Sequence, residues 1–167
     1  MRIPIIFIVV CSFLFAACSH KKTESARETI IDNANVLTQQ QEDSINSIIQ
    51  DLESKIGSQV AILTVNSLNG QDLNEFSLKK ADSLKLGRAD YNDGVLITVA
   101  LLDRKVRIEV GEGLEDILKD EIAARIIDED IAPRFRQEKY GKGIYAAVSE
   151  IYTLIAVNKD QIQKTRN

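Results

Sequence analysis

Apolar positions along the chain change period from one stretch to the next, and each change marks an element. Thr38 is followed three residues later by Gln41, a capping-box pattern. Behind it Ile45, Ile48, Ile49, Leu52 and Ile56 fall at helical spacing, and Gly57 is placed as a stop. Gln59 to Val65 is rich in β-branched residues and predicts a strand. Asp72 and Glu75 cap a second helix, whose apolar face is Leu73, Phe76, Ala81 and Leu84 and which ends around Gly87. Val95 to Leu102 is a nearly continuous apolar run of the length of a buried strand. Val106, Ile108 and Val110 then alternate with Arg107 and Glu109, as in a half-solvated strand. Asp103-Arg104 sits where a two-residue turn would join the two into a hairpin. Further on, Ile117, Leu118, Ile122, Ile126 and Ile127 predict a helix ending near Pro133. Phe135 to Gly143 shows no period and reads as irregular. Ile144 to Val157 predicts a last helix, with Ala147, Val148, Ile151, Leu154 and Ile155 on its apolar face.

These elements predict an α/β fold: a single-domain mixed β-sheet covered by helices, over residues 29–157, with a polar tail at 158–167. A strand, a helix and a second strand make a right-handed crossover, so Gln59–Val65 and Val95–Leu102 should run parallel. The hairpin partner makes the sheet mixed, and Thr29-Ile30-Ile31 is a candidate edge strand. At the open end of the hairpin, Tyr91-Asn92-Asp93-Gly94 must meet Gly111-Glu112-Gly113-Leu114-Glu115-Asp116, whatever the rest of the fold does.

The first residues belong to a different class. Met1-Arg2 followed by the apolar Ile5 to Ala17 reads as a signal peptide, residues 1–17, too short for a membrane span. Leu14-Phe15-Ala16-Ala17-Cys18 resembles a lipobox, which makes Cys18 the lipidated mature N-terminus. The alternative is an ordinary secretory signal cleaved near Ala17. Residues 18–28 are polar and read as a tether, in which Lys21-Lys22 could touch anionic head groups. The expected location is the bacterial cell envelope, lipid-anchored and facing the periplasm, with the membrane as a partner through the lipid.

Composition narrows the chemistry. The 167 residues carry a net charge of −4 and no Trp, which argues against a nucleic-acid partner. Past the tether there is neither Cys nor His, so thiol nucleophiles, histidine-bearing triads and histidine-bearing zinc sites are excluded. Gly111-x-Gly113 lacks the rest of a phosphate-binding loop. Carboxylates remain. Asp90, Asp93, Glu112, Glu115, Asp116 and Asp120 can approach the open end of the hairpin, with Asp32 a possible addition. Clustered carboxylates repel unless protonated, solvated or bridged, and oxygen-only ligands suit Ca²⁺ or Mg²⁺. Each also has a structural reading as a cap, a turn residue or a solvated charge.

Asn92-Asp93-Gly94-Val95-Leu96, then Asp103 through Glu115 and Asp120, resemble the TPM domain family, as do Asp32-x-Ala34-x-Val36-Leu37 and Pro133-x-Phe135 with Tyr140-x-x-Gly143. That family includes a thylakoid lumen protein, a photosystem II repair protein and a nematode acetylcholine-receptor accessory subunit. The resemblance implies an α/β sandwich, an extracytoplasmic location and an acidic loop site for divalent cations. By position it carries over Asp32, Asp93, Glu115 and Asp120; together with Asp90 and Asp116 from the converging loops these are the candidate metal ligands, and Asp93, Glu115 and Asp120 are the candidate catalytic residues. Asn92-Asp93 reverses the Asp-Asn order of many relatives, which displaces that carboxylate by one residue. Two functions follow as expectations. One is a membrane-anchored, divalent-cation-binding accessory or quality-control factor for an envelope protein complex; the other is a metal-assisted acid phosphatase.

Overall fold

The computed structural model describes residues 28–162. The signal peptide, Cys18, almost all of the tether and the end of the polar tail lie outside them. Four strands form one sheet in the order β1-β2-β3-β4: Ile30–Asp32, Gln59–Val65, Gly94–Ala100 and Lys105–Val110. β1, β2 and β3 run parallel, and β4 returns antiparallel to β3, so the sheet is mixed.

Side-chain alternation along the central strands divides the molecule into two unequal layers. Val60 and Ile62 of β2 and Val95, Ile97 and Val99 of β3 face the larger core. There they meet helix α1 (Gln39–Lys55) through Ile45, Ile49 and Leu52, and helix α5 (Tyr140–Val157) through Ile144, Val148 and Ile151. All are essentially buried, and each such aliphatic side chain contributes about 2–3 kcal/mol by leaving water. The opposite face carries a smaller cluster, with Ala61, Leu63 and Leu96 buried and Ile31 and Val65 partly so, packed against Phe76, Ala81 and Leu84 of helix α2 (Leu73–Leu84). One helix cannot cover four strands, and a cleft opens beside it.

Local signals in the sequence place the helices. Thr38 Oγ1 accepts from Gln41 N while Gln41 Oε1 accepts from Thr38 N, so both halves of the capping box are made. Asp72 Oδ1 accepts from Asn74 N and Glu75 N at the start of α2. Lys85, in the left-handed region at φ 50°, ends that helix two residues before Gly87.

Three elements differ from expectation. β3 ends at Ala100 and pairs there with Lys105, so the hairpin loop has four residues, Leu101 to Arg104, rather than two. Leu101 N and Leu102 N bond Val65 O and Asn66 O, which draws the end of the apolar run away from the ladder. Next, the helical path does not stop at Pro133. Helix α3 (Asp120–Ile126) widens into a π-helical turn, Ile127–Ile131, and resumes as the single turn α4, Ala132–Phe135. The π turn leaves Pro133 in the first turn of a new segment, where its missing N–H is not needed. Finally, α5 begins at Tyr140, four residues ahead of the apolar period. Gly143 allows the approach, because a Cβ there would lie 2.9 Å from the Phe135 ring, which packs edge-on against Tyr140 at 5.1 Å.

Candidate functional site

Asp93 immediately precedes β3 and is fully buried. Its Oδ1 accepts from Arg88 N at 2.8 Å, and its Oδ2 accepts from Arg88 Nε at 2.9 Å, Arg88 Nη2 at 2.6 Å and Ser58 Oγ at 3.1 Å. The Arg88 guanidinium in turn lies 4.0 Å from the Tyr91 ring centroid. Gly57 makes room for it, since a Cβ there would stand 2.6 Å from Arg88 Nη1. Gln59 ties the same loop twice, donating its backbone N–H to Asp93 O and accepting at its side-chain Oε1 from Gly87 N. The carboxylate therefore pins the loop between α2 and β3 to the start of β2. Its oxygens are occupied.

Asp32 lies at the other end of the sheet. It pairs with Thr64 at the end of β2, whereas Gly94, next to Asp93, pairs with Gln59 at the beginning. Five residues of strand separate those positions, about 16 Å. Asp32 accepts from Val36 N, Leu37 N and Thr64 Oγ1, and so shapes the loop leading into α1.

The remaining candidates share the expected end of the sheet. Glu112 and Glu115 border a cleft of about 390 Å³ between α2 and the meeting point of β3 and β4. Leu78, Ala81, Leu86 and Leu96 give it an apolar floor, while Asp82 and Glu109 add two further carboxylates and Lys85 one cation. Asp90 and Asp116, on the loops around it, and Asp120, at the start of α3, are exposed and do not line it. Asp120 lies close enough to act electrostatically on Arg107. Arg107 bonds Glu109 at 2.5 Å, and that bond raises the guanidinium above its usual range against the opposing effect of burial. Among the described residues Asp82, Glu112 and Glu115 make no ion pair.

Asp93, Glu115 and Asp120 are thus not assembled into one catalytic group. Asp93 is interior and saturated, Glu115 is on the cleft and Asp120 opens α3. Among the described residues no three His, Cys, Asp or Glu side chains gather to hold one metal ion. As placed, the acidic residues do not fit a preformed Ca²⁺ or Mg²⁺ site.

A family model described as the TPM domain matches residues 30–154. The chain belongs to the TPM domain family. Among solved structures it is similar to the N-terminal domain of a protein from P. gingivalis, at 27% identity and a TM-score of 0.76, covering 86% of this chain and 91% of that one. It shares its fold with the BA42 protein of Bizionia argentinensis, at 20% identity and a TM-score of 0.63, over 78% of this chain and 86% of that one. The fold also recurs in the N-terminal domain of the cg2496 protein from Corynebacterium glutamicum, at 12% identity and a TM-score of 0.62, over 80% and 83% of the two chains. Comparison with curated proteins gave no match.

In this TPM domain the sequence reading missed two kinds of residue. Arg88 and Ser58 are the partners that saturate Asp93, and neither stands out in the sequence as part of a site. Asp82, Glu109 and the apolar floor were not recognised as part of the site. Asp82 belongs to the last turn of α2, and only the packing of that helix across β3 and β4 brings it near Glu112. The alternation Arg107-x-Glu109 did show which face Glu109 takes.

Proposed function

We propose that this TPM domain is a membrane-anchored extracytoplasmic accessory or quality-control factor for envelope proteins, and that it engages them through the acidic cleft. The carrying observation is the composition of that cleft. Three carboxylates that make no ion pair among the described residues, Asp82, Glu112 and Glu115, surround an apolar floor, and no hydroxyl, thiol or imidazole lines it. Such a surface suits recognition: the floor supplies burial and the rim supplies charge selection. The lipobox-like sequence ending at Cys18 supports anchoring at a membrane, where envelope proteins are the neighbours. This reading does not require a divalent cation.

The phosphatase alternative has less support. Excess negative charge at the cleft repels a phosphate dianion, and Arg88 is committed to Asp93. One experiment separates the two. Crosslinking in intact cells followed by capture from the membrane fraction is expected to return a discrete envelope protein, and the purified full chain should leave an aryl phosphate unhydrolysed with and without Mg²⁺. Turnover that Glu115→Gln abolishes, with no partner captured, would replace the accessory reading by the hydrolytic one.

A further inference from the structure

We propose that the outer edge of β4 and the cleft beside it together receive an extended, arginine-bearing segment of a partner protein. The proposal rests on the accessory reading and names the chemistry of its partner.

Two independent features point to such an occupant. The first is the edge. β4 is the last strand of the sheet, and Gly111 N bonds Gly94 O next to the Val95–Val110 pair. Hydrogen-bonded and non-bonded pairs alternate in an antiparallel ladder. The backbone groups of Lys105, Arg107 and Glu109 therefore serve β3, and those of Val106, Ile108 and Val110 face outward. An extended segment can pair with them and lengthen the sheet. The second feature is the cleft. A residue of the added strand opposite Glu109 projects on the α2 side of the sheet, where the cleft lies. An arginine there lays its alkyl stem on Leu78, Ala81 and Leu96 and carries its guanidinium to the carboxylates.

The spread of the acids favours a large cation over a metal ion. They do not gather within the reach of one ion, yet they line one cleft of about 390 Å³. A guanidinium with five N–H donors can address separated carboxylates, whereas an ammonium behaves as a compact point charge. On the opposite face the neighbours of the added strand are Ile108 and Val110, so β-branched residues should flank the arginine.

The test uses the full chain in detergent and a fluorescent peptide with a central arginine between valines. Anisotropy should report saturable binding that weakens as salt rises from about 50 to 300 mM. Citrulline in place of arginine, or Glu112→Gln with Glu115→Gln, should weaken it by about tenfold or more. N-methylation of the peptide backbone should abolish it, because the edge bonds are lost. Urea midpoints of the variants check folding, and both substituted residues are exposed. No binding, or binding indifferent to these changes, overturns the proposal. So does free arginine amide binding as tightly as the peptide, which would make the cleft a small-molecule site. A Ca²⁺-induced thermal shift lost in the double variant, without peptide binding, would assign the cleft to a metal. An envelope partner captured in cells whose crosslinking is unaffected by Glu112→Gln with Glu115→Gln would keep the accessory role and defeat this inference alone.

Discussion

Asp93 is the sharpest point at which architecture and chemistry compete for one residue. If its role is to pin the loop before β3, its loss must be felt in stability with no ligand present. Asp93→Ala removes an acceptor of four hydrogen bonds at a site with no solvent exposure. Ser58 Oγ, also fully buried, loses its acceptor, at about 1–3 kcal/mol. The guanidinium of Arg88 loses its counter-charge, but its side chain is 36% exposed and water recovers part of that loss. Breaking a fully buried pair costs about 3–5 kcal/mol, so about 3 kcal/mol overall is expected. With a urea dependence of about 2 kcal/mol per molar, the midpoint should fall by about 1.5 M. Asp93→Asn is the finer probe. One of its two positions becomes an amide NH₂ facing an Arg88 donor, which should cost about 2 kcal/mol. An Arg88→Ala, Asp93→Ala cycle should give a coupling above about 1 kcal/mol. Were Asp93 a cation ligand instead, Asp93→Asn would leave the cation-free protein as stable as before or more so. A midpoint within about 0.3 M of wild type for Asp93→Asn would refute the structural assignment.

Other outcomes follow from the same contacts. Lys55, and then Tyr152, hold the Asp51 carboxyl below its usual range, while Asp51 raises the Lys55 and Tyr152 groups above theirs. The Asp51 contribution should be complete above about pH 4 and fade as pH falls through its lowered folded-state value; the Lys55 and Tyr152 contributions should be complete below about pH 10 and fade as pH rises through theirs. Tyr152→Phe should flatten the alkaline limb of urea midpoints measured across pH, and parallel limbs would contradict it. Gly111→Ala forces a Cβ into the Asn92 carbonyl, whose oxygen also accepts from Gly113 N, so it should cost about 2–3 kcal/mol. Gly70→Ala meets no atom within 4 Å and carries only the left-handed backbone penalty, about 1 kcal/mol, so equal urea midpoints for the two would be inconsistent with this packing. Cys18→Ser should release the protein from the membrane fraction and lower its mass by the lipid; an unchanged mass and fractionation would remove the anchor.

Much of the fold was legible because its causes are local. Thr38 and Gln41 announce α1, Asp72 announces α2, and the alternation after Lys105 announces β4. The sheet end at which the hairpin opens was legible too, since antiparallel pairing alone brings the Asn92 loop to Gly111. The contents of that end were not. Asp32 precedes a helix as Asp93 precedes a strand, and nothing in their neighbours tells that β1 joins β2 in parallel and sends Asp32 to the far end. Burial of Asp93 depends on Ser58 and Gly57, which are distant in sequence and come alongside only when β2 pairs with β3. The cleft escaped notice for a similar reason. Its floor comes from α2 and β3 together, and its width depends on how one helix lies across the exposed face of the sheet.

Site-specific photo-crosslinking in intact cells tests the cleft's role most directly. The photoreactive residue would replace Glu112 at the cleft mouth or, as a control, Gln50, which is exposed on α1 on the opposite side of the sheet. The account predicts a discrete higher-mass adduct with an envelope protein from position 112 and none from position 50. Adducts of equal intensity from both positions, or from position 50 alone, would contradict it.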